Sequence, residues 1–404
     1  MKRRILFYSH DTFGLGHFRR SLTVASYLAR HLDDVAVLML TGLDSAAAFE
    51  PPLGVDFVKL PGVWKSGQDE YRSRHLRVSF ARVRRIRREL VRGVVRAFDP
   101  HLFVVDNAPR GVGGELLSTL SYLRERRPAT RIALTLRDVL DTPENIVPHW
   151  KKQGIPEVLE QFYDEIWIAG SRAVFDPPAL YEFSKTVRRR AQYCGYVVRA
   201  SARGDAERLR EELRLEDRPR VVVSCGGGGD GFALVDAYAG AAPRLARDGI
   251  DSVIFLGPDM PAPQRREIRT RLLPLGDRAL VFDFRPDIPA FLEVATVSVS
   301  MAGYNTVCEV VASGKPALLV PRTTPRLEQW LRAAALQRLG VASVLHPGAL
   351  SAEAIEHSVR DLLERAARGW KPALPESIDF AGAGRIARRV RKHLAATLAR
   401  GQSA

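Results

Sequence analysis

Short apolar runs recur along this chain, each followed by a polar or glycine-rich turn and then by a stretch whose apolar residues return every three or four positions. The first run is residues 4–9, and others follow at 35–42, 55–62, 102–106, 131–138 and 165–171. The pattern starts again at 220–224 and continues through 252–258, 279–284, 294–299 and 317–322. Runs so short and so rich in Val, Ile and Leu predict strands buried on both faces, and the spacing between them predicts helices. Such alternation gives a parallel sheet, whose ligands sit outside the carboxyl ends of its strands. Residues 193–205, with Gly195 and then Ser201-Ala202-Arg203-Gly204-Asp205, interrupt the alternation as an interlobe linker does. The expected organisation is an α/β protein of two parallel-sheet lobes, residues 1–197 and 198–379. An amphipathic helix follows in residues 380–404, with Ile386, Val390, Leu394 and Leu398 four apart.

Several strand ends carry candidate chemistry. After residues 294–299 comes Ser300-Met301-Ala302-Gly303-Tyr304-Asn305-Thr306-Val307-Cys308-Glu309. A strand gives way to a helix there, Gly303 permits a tight turn, and Thr306 lies where a helix N-terminus offers unpaired N–H groups to an anion. Glu309, a turn further on, can accept two hydrogen bonds from the vicinal diol of a ribose, so the stretch reads as a seat for a diphosphate and its ribose. The plainer alternative is a turn with a glutamate compensating the helix dipole. After residues 220–224 stand four glycines, Gly226, Gly227, Gly228 and Gly229, as a close backbone approach to a ligand requires. Their spacing fits neither a Walker A loop nor a dinucleotide fingerprint.

After the first strand, Gly14 and Gly16 precede His17 at a helix start. The positive end of the dipole disfavours imidazolium there and keeps a neutral general base, although such a histidine can also simply cap or pack. Asp106 ends its strand where it can orient His17 or merely cap a loop, and Arg137 with Asp138 ends another strand at the same edge of the sheet.

Composition narrows the class. A chain of 404 residues exceeds one ordinary core, and 46% hydrophobic with 26% charged residues is a globular balance. No apolar run approaches the roughly 20 residues of a membrane span. Residues 5–8 are shorter than the apolar core of a secretion signal. Cys194, Cys225 and Cys308 are odd in number and far apart, so a reducing cytoplasm is expected. The net charge of +15 is spread along the chain except at residues 72–96, where ten arginines meet a single acid, Glu89. Leu76, Phe80, Val83, Leu90 and Val94 recur there as the apolar side of a basic helix, which reads either as a solvated face or as a contact with an anionic membrane. Phe80 alone interleaves the arginines, so no nucleic-acid platform is expected. No Asp-x-Asp occurs, and a metal clamp is not indicated.

These residues together resemble the GT-B glycosyltransferases, most closely the MurG-like family, glycosyltransferase family 28. The likeness rests on the Gly14-x-Gly16-His17 loop, Gly195-Tyr196-Val197-Val198-Arg199 and the loop from Gly226. Phe284-Arg285-Pro286-Asp287-Ile288, the Ala302-to-Glu309 signature and Glu328-Gln329 beyond Val320-Pro321-Arg322 complete it. It implies two Rossmann-like lobes with an interlobe cleft and a C-terminal crossover helix. On the donor side, Ile288 borders the base, Ala302, Gly303, Tyr304, Asn305 and Thr306 with the Gly226–Gly228 loop hold the diphosphate, Glu309 binds the ribose, and Glu328 with Gln329 contacts the sugar. Gly14, Gly16, Arg137 and Asp138 face the acceptor, with His17 as base and Asp106 behind it. Two usual glutamines appear here as Glu328-Gln329, and an asparagine is replaced by Arg332, which leaves the sugar open.

The implied activity is transfer of a hexose or N-acetylhexosamine from a UDP-linked donor to an acceptor hydroxyl, with inversion and without metal or cofactor. The acceptor is unassigned, a lipid-linked sugar among the candidates, and the expected place is the cytoplasm at the inner face of the membrane. A sugar-nucleotide 2-epimerase and a non-catalytic sugar-nucleotide-binding protein are the rival readings.

Overall fold

The computed structural model describes residues 3–10, 16–44, 46, 49–65, 70–199 and 201–401. Its first sheet is built from β1 (Arg3–Tyr8), β2 (Val35–Thr41), β3 (Val55–Lys59), β6 (Leu102–Asp106), β7 (Arg131–Arg137), β8 (Glu165–Ala169) and β9 (Ala191–Tyr193). The strands are parallel in the order β3-β2-β1-β6-β7-β8-β9, while β4 (Val63–Lys65) and β5 (Tyr71–Ser73) form a separate antiparallel ribbon. A second sheet orders β12 (Ala279–Phe282), β11 (Asp251–Phe255), β10 (Arg220–Ser224), β13 (Val297–Ser300), β14 (Ala317–Leu319) and β15 (Ser343–Val344). The central strands are buried along their length, as near-continuous aliphatic runs require when helices cover both faces.

Each sheet reverses its strand order once, between β1 and β6 in the first and between β10 and β13 in the second. At such a point the loops leaving two adjacent strands diverge and a crevice opens between them. Register places Tyr8 beside Val105, which brings Asp106 next to the loop after β1. It places Ser224 beside Ser300, which sets the glycine loop next to the turn at Gly303. The candidate chemistry thus lies at both switch points.

Three local expectations change. Val294 ends the helix Ile288–Val294, so the following strand begins only at Val297. The short strands β9 and β15 and the β4–β5 ribbon lack an apolar run long enough to announce them. The basic helix is Phe80–Phe98, capped by Ser79, but its buried stripe is Val83, Arg87, Val91 and Val95. Leu76 precedes the helix, and Leu90 is left 40% exposed. Arg87 takes a core position because Glu115 meets it in a doubly bonded ion pair, at 2.7 Å from both Nε and NH2, and Tyr8 donates to the same carboxylate at 2.7 Å.

The chain crosses between the sheets twice, and the crossings touch. Val197 bridges Ala381, and Tyr196 accepts from Gly382 N at 3.0 Å. The helix Gly382–Gly401 then lies on the helix Gly16–His31, with Arg391 donating to His31 O at 3.2 Å and Arg389 to Glu165 at 2.8 Å.

Candidate active site

The helix Gly16–His31 begins behind the loop after β1, and His17 is its second residue. His17 Nδ1 lies 2.6 Å from Oδ2 of Asp106, which is 1% exposed. Asp106 also accepts from Arg20 and, at 3.0 Å, from Thr135 Oγ1. Burial raises its pKa, but Arg20 and His17 outweigh burial and hold the carboxyl well below the usual range. An ionised carboxylate only accepts, so Nδ1 carries the proton even though an Arg20 nitrogen lies 3.3 Å from it, and the lone pair sits on Nε2. Burial lowers the imidazole pKa to about 4 against the pull of Asp106, with Arg137 and Arg20 adding to the depression. His17 is therefore neutral at pH 7.

The second lobe faces this base directly. The helix Tyr304–Ala312 has Gly303 as N-cap without a side-chain cap bond, so the N–H groups of Tyr304, Asn305 and Thr306 form its open donor end. Asn305 Nδ2 donates to the carbonyl of Gly16 at 3.0 Å, which puts that donor end one residue from His17. Gly226 lies against Thr306, where a Cβ on the glycine would stand 3.2 Å from Oγ1. Gly228 answers a different need: at φ +89° its Cβ would meet Leu256 O at 2.3 Å, so the bare backbone lets two loops interlock. Gly227 sits between, with Asp259 at its side.

Glu309 is 8% exposed and receives Arg19 at 3.0 Å, with Arg199 at 4.0 Å. Glu328 is buried, and Arg322 donates to its Oε1 at 2.5 Å while its Oε2 has no hydrogen-bond partner among the described residues. Arg322 also reaches Asp230 of the glycine loop at 2.6 Å. Gln329 Oε1 accepts from Ala302 N at 3.2 Å and Arg322 N at 3.3 Å, bracing the turn. Ile288 starts its helix half-buried against the core, behind Asp287.

Some expected roles move. Asp138 is fully buried, bonded to Arg332 at 2.7 Å and to Tyr196 OH at 3.1 Å, so it has no surface to offer an acceptor. Ala302 spends its N–H on Gln329 and its C=O on Arg332, at 2.9 Å, and gives nothing to a diphosphate. Tyr304 has only its amide to offer, since its phenol is buried and accepts from Val197 N. Gly303 has φ −61°, which any residue adopts, so its bareness keeps the helix end clear rather than making the turn. Gly14 lies outside the described residues.

Arg137 stays in the cleft. It shares a strand face with Thr135, two residues earlier, and so lies beside Asp106. Burial and the neighbouring Arg20 lower its pKa to about 10. Arg19, Arg20, Arg322 and Arg332 each hold a carboxylate, whereas Arg137 has none within ion-pair distance among the described residues.

Sequence reasoning missed Arg19, Arg20, Arg199 and Arg322. Dispersed arginines gave no local signal: Arg137 was marked at a strand end and Arg332 as a departure from a motif, while Arg199 and Arg322 stood only as members of motifs.

The glycosyltransferase SnogD of Streptomyces nogalater covers 98% of this chain and is covered over 100% of its own, with a TM-score of 0.61 at 19% identity. MurG of Acinetobacter baumannii covers 96% and 99%, with a TM-score of 0.58 at 13% identity. Likeness at this identity is likeness of fold, and the fold is GT-B.

A sequence match falls on the second lobe: residues 221–377 are similar to the glycosyltransferase family 28 C-terminal domain. The relatives agree. A UDP-N-acetylglucosamine–N-acetylmuramyl-(pentapeptide) pyrophosphoryl-undecaprenol N-acetylglucosamine transferase of Exiguobacterium sp. is 28% identical over 162 residues, 40% of this chain and 44% of that protein. Its namesake in Mycobacterium bovis is 33% identical over 186 residues, 45% and 44%. The match spans less than half the length of these relatives.

Proposed function

We propose that this protein transfers a hexosyl or N-acetylhexosaminyl group from a UDP-sugar to an acceptor hydroxyl, with inversion and without metal. The observation that carries this reading is the Asn305–Gly16 contact, which holds a neutral base one residue from an uncapped helix N-terminus. The acceptor O–H loses its proton to His17 Nε2 as its oxygen attacks the anomeric carbon. The bond from that carbon to the diphosphate oxygen breaks, and the departing nucleoside diphosphate gathers charge at the N–H groups of residues 304–306. Glu309 accepts the ribose hydroxyls. The open, buried Oε2 of Glu328 accepts a sugar hydroxyl, which supplies the hydrogen bond that a buried acceptor needs. Arg137 turns its guanidinium toward the acceptor.

The acceptor we infer is lipid-linked, as the names of the relatives state for those proteins. No helix among the described residues is long and apolar enough to cross a membrane. The surface that suits an anionic bilayer is the helix Phe80–Phe98, where Ile86 and Leu90 lie exposed among arginines.

Calorimetric titration with UDP, GDP, TDP, ADP and CDP tests the donor assignment. Selective UDP binding, weakened by about 1–3 kcal/mol in Glu309→Ala, is the expected result. Equal binding by the variant would remove Glu309 from the ribose and leave the reading without its donor site.

A further inference from the structure

Away from the interlobe cleft, on the flank of the first lobe, lies a cavity of about 570 Å³, within the range that holds small molecules. One wall is the β7–β9 side of the first sheet, with Arg131 at the start of β7, Glu165 at the start of β8, and Tyr193 ending the edge strand β9. The other is the helix Gly382–Gly401, which presents Arg385, Arg388, Arg389 and Lys392 at spacings of three and four and hence on one face. Five permanent cations therefore line the space against one carboxylate, Glu165.

Most of these charges have local partners. Glu165 accepts from Arg389 at 2.8 Å and from Trp167 at 2.6 Å, and His393 lies 3.1 Å away. Arg131 pairs with Asp164 at 3.1 Å, and Arg385 pairs with Asp379. Arg388 and Lys392 have no carboxylate partner among the described residues, and both are exposed to the cavity mouth. The helix dipole does not account for them, because it acts within the last turn and both lie well before the helix end at Gly401. Like charges gathered around a partly enclosed space raise the local concentration of anions.

We propose that this cavity is a site for a multiply charged phosphate anion, an oligophosphate or a phosphomonoester, recognised by its charge. A nucleobase is not part of the recognition. The Tyr193 ring, which is the cavity's aromatic wall, already carries Arg172 at 5.2 Å from its centroid, and its hydroxyl donates to Asp176 at 2.5 Å. The position gives the site a consequence. Arg385 donates to Cys194 O at 3.4 Å, and Tyr196 N donates to Asp379 O at 2.8 Å, so the cavity adjoins the two crossings between lobes. An anion bridging Arg388 and Lys392 to Arg131 clamps the crossover helix to the first sheet beside that hinge. The source is either a soluble oligophosphate or a phosphomonoester lipid headgroup.

Two titrations test this on the intact protein. The first is calorimetry with sodium tripolyphosphate in the presence of saturating UDP, so that the donor site is occupied, comparing wild type with Arg388→Ser/Lys392→Ser. One-to-one binding, at least about tenfold weaker in the variant while UDP affinity is unchanged, supports a soluble anion. The second is co-sedimentation with phosphatidylcholine vesicles carrying phosphatidate, against phosphatidylserine at equal charge. A phosphatidate preference lost in the variant assigns the site to a headgroup. Equal behaviour of wild type and variant in both titrations overturns the proposal. Both substituted residues are exposed, and the single Arg388→Gln change serves as the check should the double variant melt early. Absence of UDP binding would count against the transferase reading alone, since tripolyphosphate binding can then be measured without UDP.

Discussion

At the scale of the residue, His17 combines two demands that pull apart. Burial keeps it neutral, down to a pKa of about 4, yet a base so weak abstracts a proton poorly. On the proposed assignment a bound diphosphate would resolve this, by bringing negative charge close to an imidazole that Arg20 and Arg137 now depress. The acid limb of kcat/KM, which reports the free protein, is expected to inflect near 4, and the limb of kcat at a higher pH. Coincident limbs would show that the donor leaves His17 unaffected. His17→Ala should lower kcat by about 10²–10⁴ with UDP affinity retained. Stability moves the same way with acid. The folded pKa of His17 lies below its unfolded value, so the unfolded chain binds the proton first, and stability falls as pH drops from about 6.5 toward 4. Asp106, also held low, adds a further loss below the ordinary carboxylate range.

At the scale of the element, strands and their ends were the legible part. Runs such as residues 102–106 and 220–224 needed only hydrophobicity to be placed, and glycines or acids directly after them marked the crevices. Faces of helices were less legible. The helix Phe80–Phe98 has Leu90 on its expected apolar side, but it buries Arg87 instead, and the partner that makes this tolerable, Glu115, lies 28 residues away. Periodicity records hydrophobicity and is blind to a distant counter-charge. The same blindness hid Arg19 and Arg20 and made Asp138 look available. The consequence for this helix is an outer face on which Ile86 and Leu90 are 37% and 40% exposed among arginines. Binding to vesicles with anionic lipid should exceed binding to neutral vesicles and weaken as salt screens the arginines. Ile86→Ser/Leu90→Ser should weaken it further, by about 2–4 kcal/mol for two buried aliphatic side chains. Salt-insensitive or variant-insensitive sedimentation would show that this face does not meet the bilayer.

At the scale of the whole molecule, two kinds of contact cross the cleft. Arg332 and Asp138 are both fully buried and multiply bonded, joining the turn that leaves β7 to the helix Glu328–Arg338. Removing one partner leaves an uncompensated buried charge, so Arg332→Met should cost about 3–5 kcal/mol, whereas Asp138→Leu/Arg332→Met should recover most of it. Denaturant unfolding measures both, read as the midpoint of the first transition because two lobes need not unfold together. A double variant as unstable as the single one would show that the pair is needed for more than charge balance.

The Arg19–Glu309 contact is of the other kind. It joins the lobes at 3.0 Å with Arg19 21% exposed, and it engages the carboxylate assigned to the ribose. On the proposed donor assignment, a ribose at Glu309 would displace this interlobe ion pair and leave the Arg332–Asp138 contact in place, so that the former is the opening edge of the cleft. The two halves of the opening edge should then respond with opposite signs. Glu309→Ala removes the ribose acceptor and weakens UDP binding, whereas Arg19→Ala removes the competitor and strengthens it, by up to about 1 kcal/mol given the partial exposure of the pair. Calorimetry at two salt concentrations separates this from simple loss of a positive charge. A competitor released by substitution leaves the salt dependence of UDP binding flat, but an arginine that attracts the diphosphate gives weaker binding in Arg19→Ala and a reduced salt slope. The second outcome would move Arg19 from the latch to the donor site itself.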